Sequence, residues 1–459
     1  MVDVKEVWKQ KVGGGVQALA LSLDGLTIAA ASADGALHLL GRNGAIAWSQ
    51  QLGGPIAAID TTSAGDFLAA GLRSGTVLLL DRTGKTLWRH EAGSEVQAVS
   101  LSRNGKYIIV GTSDGSIQLL NNKGQPVWSR KAKGPVPDVA VSSSANFAAA
   151  GSDDGSIYFI DNYSTNMGGK VLWTLPTRGK VRKLRLSTDG FYAVAASSDA
   201  NIHYLDKLGK LYWSNRVENT PASLAMSASG DYVAIGIEGG AHPGQVSLFQ
   251  RNEGLVWRNV TGDATVGAID ISANGQFIAA GSQNEEVYLF HRTKKHLWKQ
   301  AVDGWVDAIA MTADGNYTVA GTRKGALYLF DNRAAVEELK PRTTEEAELE
   351  VSLFRPLRTA VPPEPAEEPG EPAEVERTPV VVAAEETTRT ALEIIVDLCL
   401  GVVLCLLAVV YYFIIIKTIN QDLGLILLFL LLIVMAFLLI MFYKYIVRRP
   451  KKARGRSFY

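Results

Sequence analysis

The densest run of ionisable side chains within the repeats is RGKVRKLR at 178–185. Arg178, Lys180, Arg182, Lys183 and Arg185 place five bases in eight residues with no acid among them. Such a run suits two tasks. It can hold an acidic partner or an anion on a positive surface. It can also supply the cationic half of a partly buried ion pair, and Asp138 is a carboxylate available to Lys183 or Arg185. Catalytic constellations are not apparent. The six histidines stand apart at 38, 90, 203, 242, 291 and 296, and each reads as a satisfied or solvated side chain. There is no HExxH, no phosphate-binding glycine loop and no Cys/His cluster. The two cysteines, Cys399 and Cys405, both lie in an apolar C-terminal region, so residues 1–398 have neither a disulfide nor a thiolate metal site. The expectation is a protein without metal or cofactor, and not an enzyme.

The scaffold that must position these residues is a repeat. Tryptophans stand at 8, 48, 88, 128, 173, 213, 257 and 298, with successive gaps of 40, 40, 40, 45, 40, 44 and 41 by subtraction. Several close a shared motif: LLLDRTGKTLW at 78–88, LLNNKGQPVW ending at Trp128, YLDKLGKLYW ending at Trp213. Each is two strands joined by a tight turn, with Gly84 free to take the positive φ that such turns use. Upstream lie a Val-x-Ala-x-Ala-x-Ser strand, as at 16–22 and, with Ser100 at the second Ala position, 96–102, and a small apolar strand. An Asp-Gly turn often follows, as at Asp34-Gly35, Asp114-Gly115 and Asp154-Gly155. Asp-Gly between apolar runs signals a hairpin. Four strands per period of about forty residues indicate a propeller with one four-stranded sheet per blade.

Seven complete units end at Trp48 through Trp298. An eighth begins at Val306 and stops at Phe330-Asp331 without a tryptophan strand. Residues 6–11, around Trp8, can supply it, which closes the ring and removes an exposed sheet edge. The expected fold is all-β, an eight-bladed β-propeller closed by an N-terminal strand over residues 1–333. Seven blades is the alternative count.

Residues 4–333 resemble two related repeat families. The closing outer strand and the order of parts look like WD-repeat proteins, although the Trp-Asp dipeptide itself is absent. The Asp-x-x-Gly-Lys-x-Leu-Trp ending resembles the pyrroloquinoline-quinone-type repeat, whose domains are usually eight-bladed. Quinoprotein enzymes of that type would bring a bound quinone, a calcium site, a catalytic carboxylate and often a disulfide of adjacent cysteines, and no residues here match those. The resemblance implies the scaffold and leaves function to the sites grafted on it. A quinoprotein-like ligand binder and a membrane-anchored regulator of a small GTPase are the alternatives to a non-catalytic platform.

Comparing the repeats with one another isolates the candidates. The innermost strand carries Ala18, Ala58, Ala98, Ala268 and Ala308 at one position, but Asp138 and Lys183 in the fourth and fifth units. Two residues on come Arg185, Asp60 and Asp270. Trp305 is the one tryptophan off the repeat. Its sister positions hold Gly15, Pro55, Glu95, Pro135, Lys180, Thr220 and Thr265, all loop residues. A tryptophan there is either a partly exposed interface anchor or a side chain folded onto its own blade. Two turns are lengthened, at 161–170 and at 238–245, the latter with His242, and they emerge on opposite faces. The candidate partner-binding set is Trp305, Lys180, Arg182, Lys183, Arg185, Asp138 and His242.

The net charge of zero averages unlike parts. Lys+Arg and Asp+Glu number 32 and 29 in 1–333, 6 and 14 in 334–391, and 8 and 3 in 392–459. The near-neutral first part gives no nucleic-acid signal. Residues 334–391, with PPEPAEEPGEPAE, read as a disordered acidic linker. Residues 398–416 and 423–443 carry no charge and suit two membrane-crossing helices within 392–446, joined by the short KTINQD. The basic tail at 447–459, with Arg448, Arg449, Lys451 and Lys452, favours the cytoplasm. Two spans return the chain to its starting side, and the N-terminal MVDVKEVWKQ shows no apolar leader. The expectation is a multi-pass membrane protein with a cytoplasmic propeller that recruits a protein partner.

Overall fold

The computed structural model describes residues 5–164, 166–239, 244–293 and 296–339. They form eight four-stranded antiparallel sheets. Seven are simple meanders, because the short turns join only neighbouring strands, and the eighth takes its outer strand from the N-terminus. The innermost strands are Val16–Leu21, Ile56–Thr61, Val96–Leu101, Asp138–Val141, Val181–Leu186, Pro221–Met226, Ala268–Ile271 and Val306–Met311. Each packs against the innermost strands of the blades before and after it, and the last packs against the first. The ring is therefore closed. Blade 8 is completed by Lys5–Lys11, which pairs antiparallel with Ala326–Asp331 from Lys5↔Asp331 to Lys11↔Ala326. Eight blades and N-terminal closure are as the repeat arithmetic requires. A bulge in the closing strand leaves Val7 out of register and 42% exposed.

The core lies between blades. Second strands such as Thr27–Ser32 are buried throughout, because neighbouring sheets cover both faces. One cluster joins Ala29 and Leu37 of blade 1 to Leu68 and Leu78 of blade 2. Another extends beyond the last strand. The helix Arg333–Glu338 places buried Ala335 against the group that holds Trp298, Tyr328 and Phe330. All eight clusters are drawn from residues 8–339, so the hydrophobic core of the ring is complete within that stretch.

The repeating tryptophan ties each blade to the next. Its Nε1–H donates to a carbonyl in the following blade's last turn: Trp8 to Arg42 (2.7 Å), Trp48 to Arg82 (3.0 Å), Trp88 to Asn122 (2.9 Å), Trp173 to Lys207 (3.1 Å), Trp213 to Arg251 (2.9 Å), Trp257 to Arg292 (2.7 Å). Trp128 uses Oδ1 of Asn162 instead (2.9 Å), because the lengthened turn of blade 4 alters the backbone there. Buried Trp298 meets no such acceptor among the described residues, at the joint where the chain leaves the ring. The turn glycine makes the contact close. Gly84 has φ +85°, and a Cβ on it would lie 2.9 Å from the Trp48 ring.

Among the described residues no helix is long and apolar enough to cross a membrane. Of the linker expected over 334–391, residues 334–338 are helical and packed on the ring; its remainder from 340, the stretches 398–416 and 423–443, and His242 lie outside the described residues.

Candidate functional site: loop face and channel

Antiparallel order puts the turns between second and third strands, and the loops from one blade to the next, at one end of the ring. We call this the loop face. One backbone bond recurs there in all eight blades. The amide of the turn residue donates to the carbonyl just before the innermost strand: Ala33 to Gly15, Arg73 to Pro55, Ser113 to Glu95, Asp153 to Pro135, Ser198 to Lys180, Glu238 to Thr220, Gln283 to Thr265, Arg323 to Trp305, at 2.7–3.0 Å. The backbone fixes the position and leaves its side chain free to vary. Trp305 uses that freedom and is 41% exposed. The Arg323 guanidinium lies 4.3 Å from the Trp305 ring centre and is itself held by both Asp307 oxygens, at 2.7 and 2.9 Å. Trp305 is thus propped by its own blade and partly exposed.

The basic run of blade 5 does not act as one patch. Lys180 Nζ pairs with Asp153 Oδ2 of blade 4 at 2.9 Å. Arg185 Nη1 pairs with Asp138 Oδ2 at 3.0 Å. Of the two bases considered for Asp138, the structure selects Arg185. Arg178 and Arg182 are exposed, Lys183 is half-buried, and none of the three has a carboxylate partner among the described residues. Trp305 sits in blade 8, three blades from this run, so the candidates divide between two places on the ring.

The carboxylates of the innermost strands share a structural task. Asp138 accepts the Leu184 amide of the next blade on Oδ2 (2.8 Å) and its neighbouring Val139 amide on Oδ1 (3.1 Å). Asp60 does the same with Leu101 and Thr61, both at 2.8 Å, and Asp270 with Met311 (2.7 Å) and Ile271 (2.8 Å). The innermost strand has an unpaired edge, and its inward amides need acceptors. Each aspartate bridges two such edges. Asp270 keeps some surface open to the channel, yet the protein crowds it enough that burial raises its carboxyl above the ordinary range. The Met311 and Ile271 amides, then Arg185 and Arg103, oppose that shift without cancelling it.

The histidines divide. His38 lies between Ser32 Oγ (3.2 Å) and Ser49 Oγ (2.8 Å). His203, its counterpart in blade 5, is a correction to the expectation. Both ring nitrogens are buried and meet no partner among the described residues, and burial lowers its pKa. Among the described residues no three His, Cys, Asp or Glu side chains converge to hold a metal.

The chain is a closed eight-bladed propeller of PQQ-like repeats with tryptophan-stapled blades. The family described as outer membrane protein assembly factor BamB matches residues 33–182. Among solved structures, BamB from Moraxella catarrhalis is 21% identical with a TM-score of 0.56, over 72% of this chain and 100% of that one. Saccharomyces cerevisiae Sqt1 is 16% identical with a TM-score of 0.62, over 72% and 99%. The computationally designed Ika8 protein is 18% identical with a TM-score of 0.60, over 70% and 98%. At these identities the likeness is one of fold. No curated protein matches the chain significantly in sequence.

Proposed function

We propose that this chain is a non-catalytic propeller scaffold, anchored in a membrane by its two apolar C-terminal stretches, whose loop face recruits a protein partner. Trp305 carries the reading. It is the one large aromatic at eight equivalent loop positions, and Arg323 and Asp307 hold it ready at no further ordering cost. The bases Arg182 and Lys183 suit acidic groups on the partner. The matched family is described as an assembly factor, which fits recruitment better than catalysis. The test is a crosslinking pull-down from native membranes with the wild type and Trp305→Ala. The variant should keep its melting temperature and lose the partner. Equal recovery of the partner would remove the loop face from the proposal.

The anchored, cytoplasmic placement has its own test. Protease added to sealed right-side-out vesicles should leave the propeller intact until detergent opens the membrane. Digestion before detergent would place the propeller on the other side and favour the quinoprotein-like ligand binder.

A further inference from the structure

The end of the ring opposite Trp305 carries the turns between first and second strands and between third and fourth strands. A backbone girdle runs round it: Ser143 N–H donates to Thr188 O, Thr188 to Ala228, Ala228 to Ala273, Ala273 to Ala313, Ala313 to Leu23, Leu23 to Ser63 and Ser63 to Arg103, at 2.8–3.3 Å. The girdle holds the turns between first and second strands at one level, and the turns between third and fourth strands lie at the same end. Most of its tips are polar. After the first turn, six blades have Asp66, Lys106, Asn146, Asp231, Gln276 and Asn316, whereas blades 1 and 5 have Leu26 and Phe191. In the last turn, Asn43, Thr83 and Lys123 correspond to Leu208 in blade 5. Leu26 is 49% exposed, Leu23 43%, Phe191 41% and Leu208 79%. Blades 1 and 5 are four steps apart in a ring of eight, hence diametrically opposite.

Each apolar corner is bracketed by cations. Lys207 Nζ lies 3.6 Å from the centre of the Phe191 ring, and Lys210 Nζ 4.9 Å from that of Tyr212. At the other corner Leu26 borders a cleft of about 460 Å³. Its wall includes Tyr317, with the Arg42 guanidinium 4.7 Å from the ring centre and that of Arg333, which is paired with Asp331, 5.4 Å from it. An apolar tip beside a long cationic side chain is the arrangement of a bilayer interface, where the tip enters the acyl boundary and the charge meets a headgroup. Two such corners at opposite edges of one end of the ring fit a planar occupant spanning it. A peptide would engage one corner. The third strand of blade 8 ends at this face, where the helix Arg333–Glu338 begins.

We propose that this face docks on an anionic bilayer surface, through Leu23, Leu26 and Arg42 at one edge and Phe191, Leu208 and Lys207 at the other. The inference deepens the anchored-scaffold reading and rests on it in part. Docking turns the Trp305 face away from the bilayer, towards a partner.

Fragment 1–339, which contains the whole ring and neither apolar stretch, separates docking from anchoring. Mixed with vesicles in which about a third of the lipid is phosphatidylglycerol, it should float with them, and far less with phosphatidylcholine alone. Leu26→Ser with Leu208→Ser should weaken flotation by about tenfold with the circular dichroism unchanged. Arg42→Glu with Lys207→Glu, the two cations of the proposed contact, should weaken it similarly with the circular dichroism unchanged, and added salt should reproduce that loss. No flotation of the wild-type fragment, or flotation indifferent to both pairs, overturns the docking. A concentration-dependent dimer in sedimentation, abolished by the leucine pair, would assign the face to a second copy and also overturn it. Protease protection of the full chain reports anchoring separately: a fragment that fails to float while the full chain stays protected sinks only the docking.

Discussion

At the scale of single residues, the repeat motif is a joint between blades. The sequence DRTG announces a tight turn, and Gly84 does adopt positive φ. What the turn cannot announce is that the preceding blade's tryptophan lies on it, because that contact joins distant parts of the chain. Gly84→Ala should therefore cost more than a strained turn alone. The positive φ contributes about 1–2 kcal/mol, and the Trp48 ring must also move. A melting temperature within error of the wild type would show that the ring yields freely. The Asp138 pair makes a second prediction. Asp138→Ala should destabilise by about 1–3 kcal/mol, because it strands the buried Leu184 amide. Arg185→Ala should cost less than about 1 kcal/mol, since its side chain is 42% exposed. The double variant should fall short of the sum, whereas Asp138→Ala with Lys183→Ala should be additive. Coupling to Lys183 instead would refute the geometry. The sequence showed a carboxylate and two bases out of pattern. It could not choose between the bases, because a bulge after Val181 sets which side chains face blade 4.

At the scale of the element, the closing strand decides whether the ring is one cooperative body. Its existence was legible in the place of Trp8 and in the strand missing from the last repeat. Its limited burial was not: Trp8 is half-buried, so Trp8→Ala should cost about 2–3 kcal/mol, below the ~3–5 kcal/mol of a fully buried ring. Deleting residues 1–11 should do much more, exposing the edge of Ala326–Asp331 and removing the Trp8 staple to blade 1. Differential scanning calorimetry of 12–339 against 1–339 checks this, and equal transition temperatures would mean the ring does not depend on that strand. The clasps of Asp60 and Asp270 illustrate what periodicity hides. They read as charges misplaced in an apolar strand, yet an innermost strand has amides with no fifth strand to receive them. The apolar tips Leu26, Phe191 and Leu208 were open to the same repeat-by-repeat comparison that found Trp305. They pass unnoticed until the strand order puts them on one face.

At the scale of the whole molecule, the charges make stability depend on pH in two opposing senses. Several carboxyls are held below their ordinary value of 3.8: Asp34 by the Ser32 hydroxyl, Asp114 by Lys131 and Asp331 by Arg333. Their contribution is present above that value and is lost as acid protonates the folded state, so the ring should weaken below about pH 4. Asp270 works the other way. Burial raises it above 3.8, so the folded state binds its proton more tightly than the unfolded chain does. Its contribution is complete below the ordinary value and declines as pH rises through the raised one. Asp270→Asn removes that titration while keeping the shape and one acceptor, much as the protonated acid would. The melting temperature of the wild type minus that of Asp270→Asn should therefore be flat in acid and fall as pH is raised towards neutrality. A difference that stays constant, or that rises with pH, would mean the channel keeps this carboxylate charged without cost, and the opposing influence of Arg185 and Arg103 would then outweigh burial.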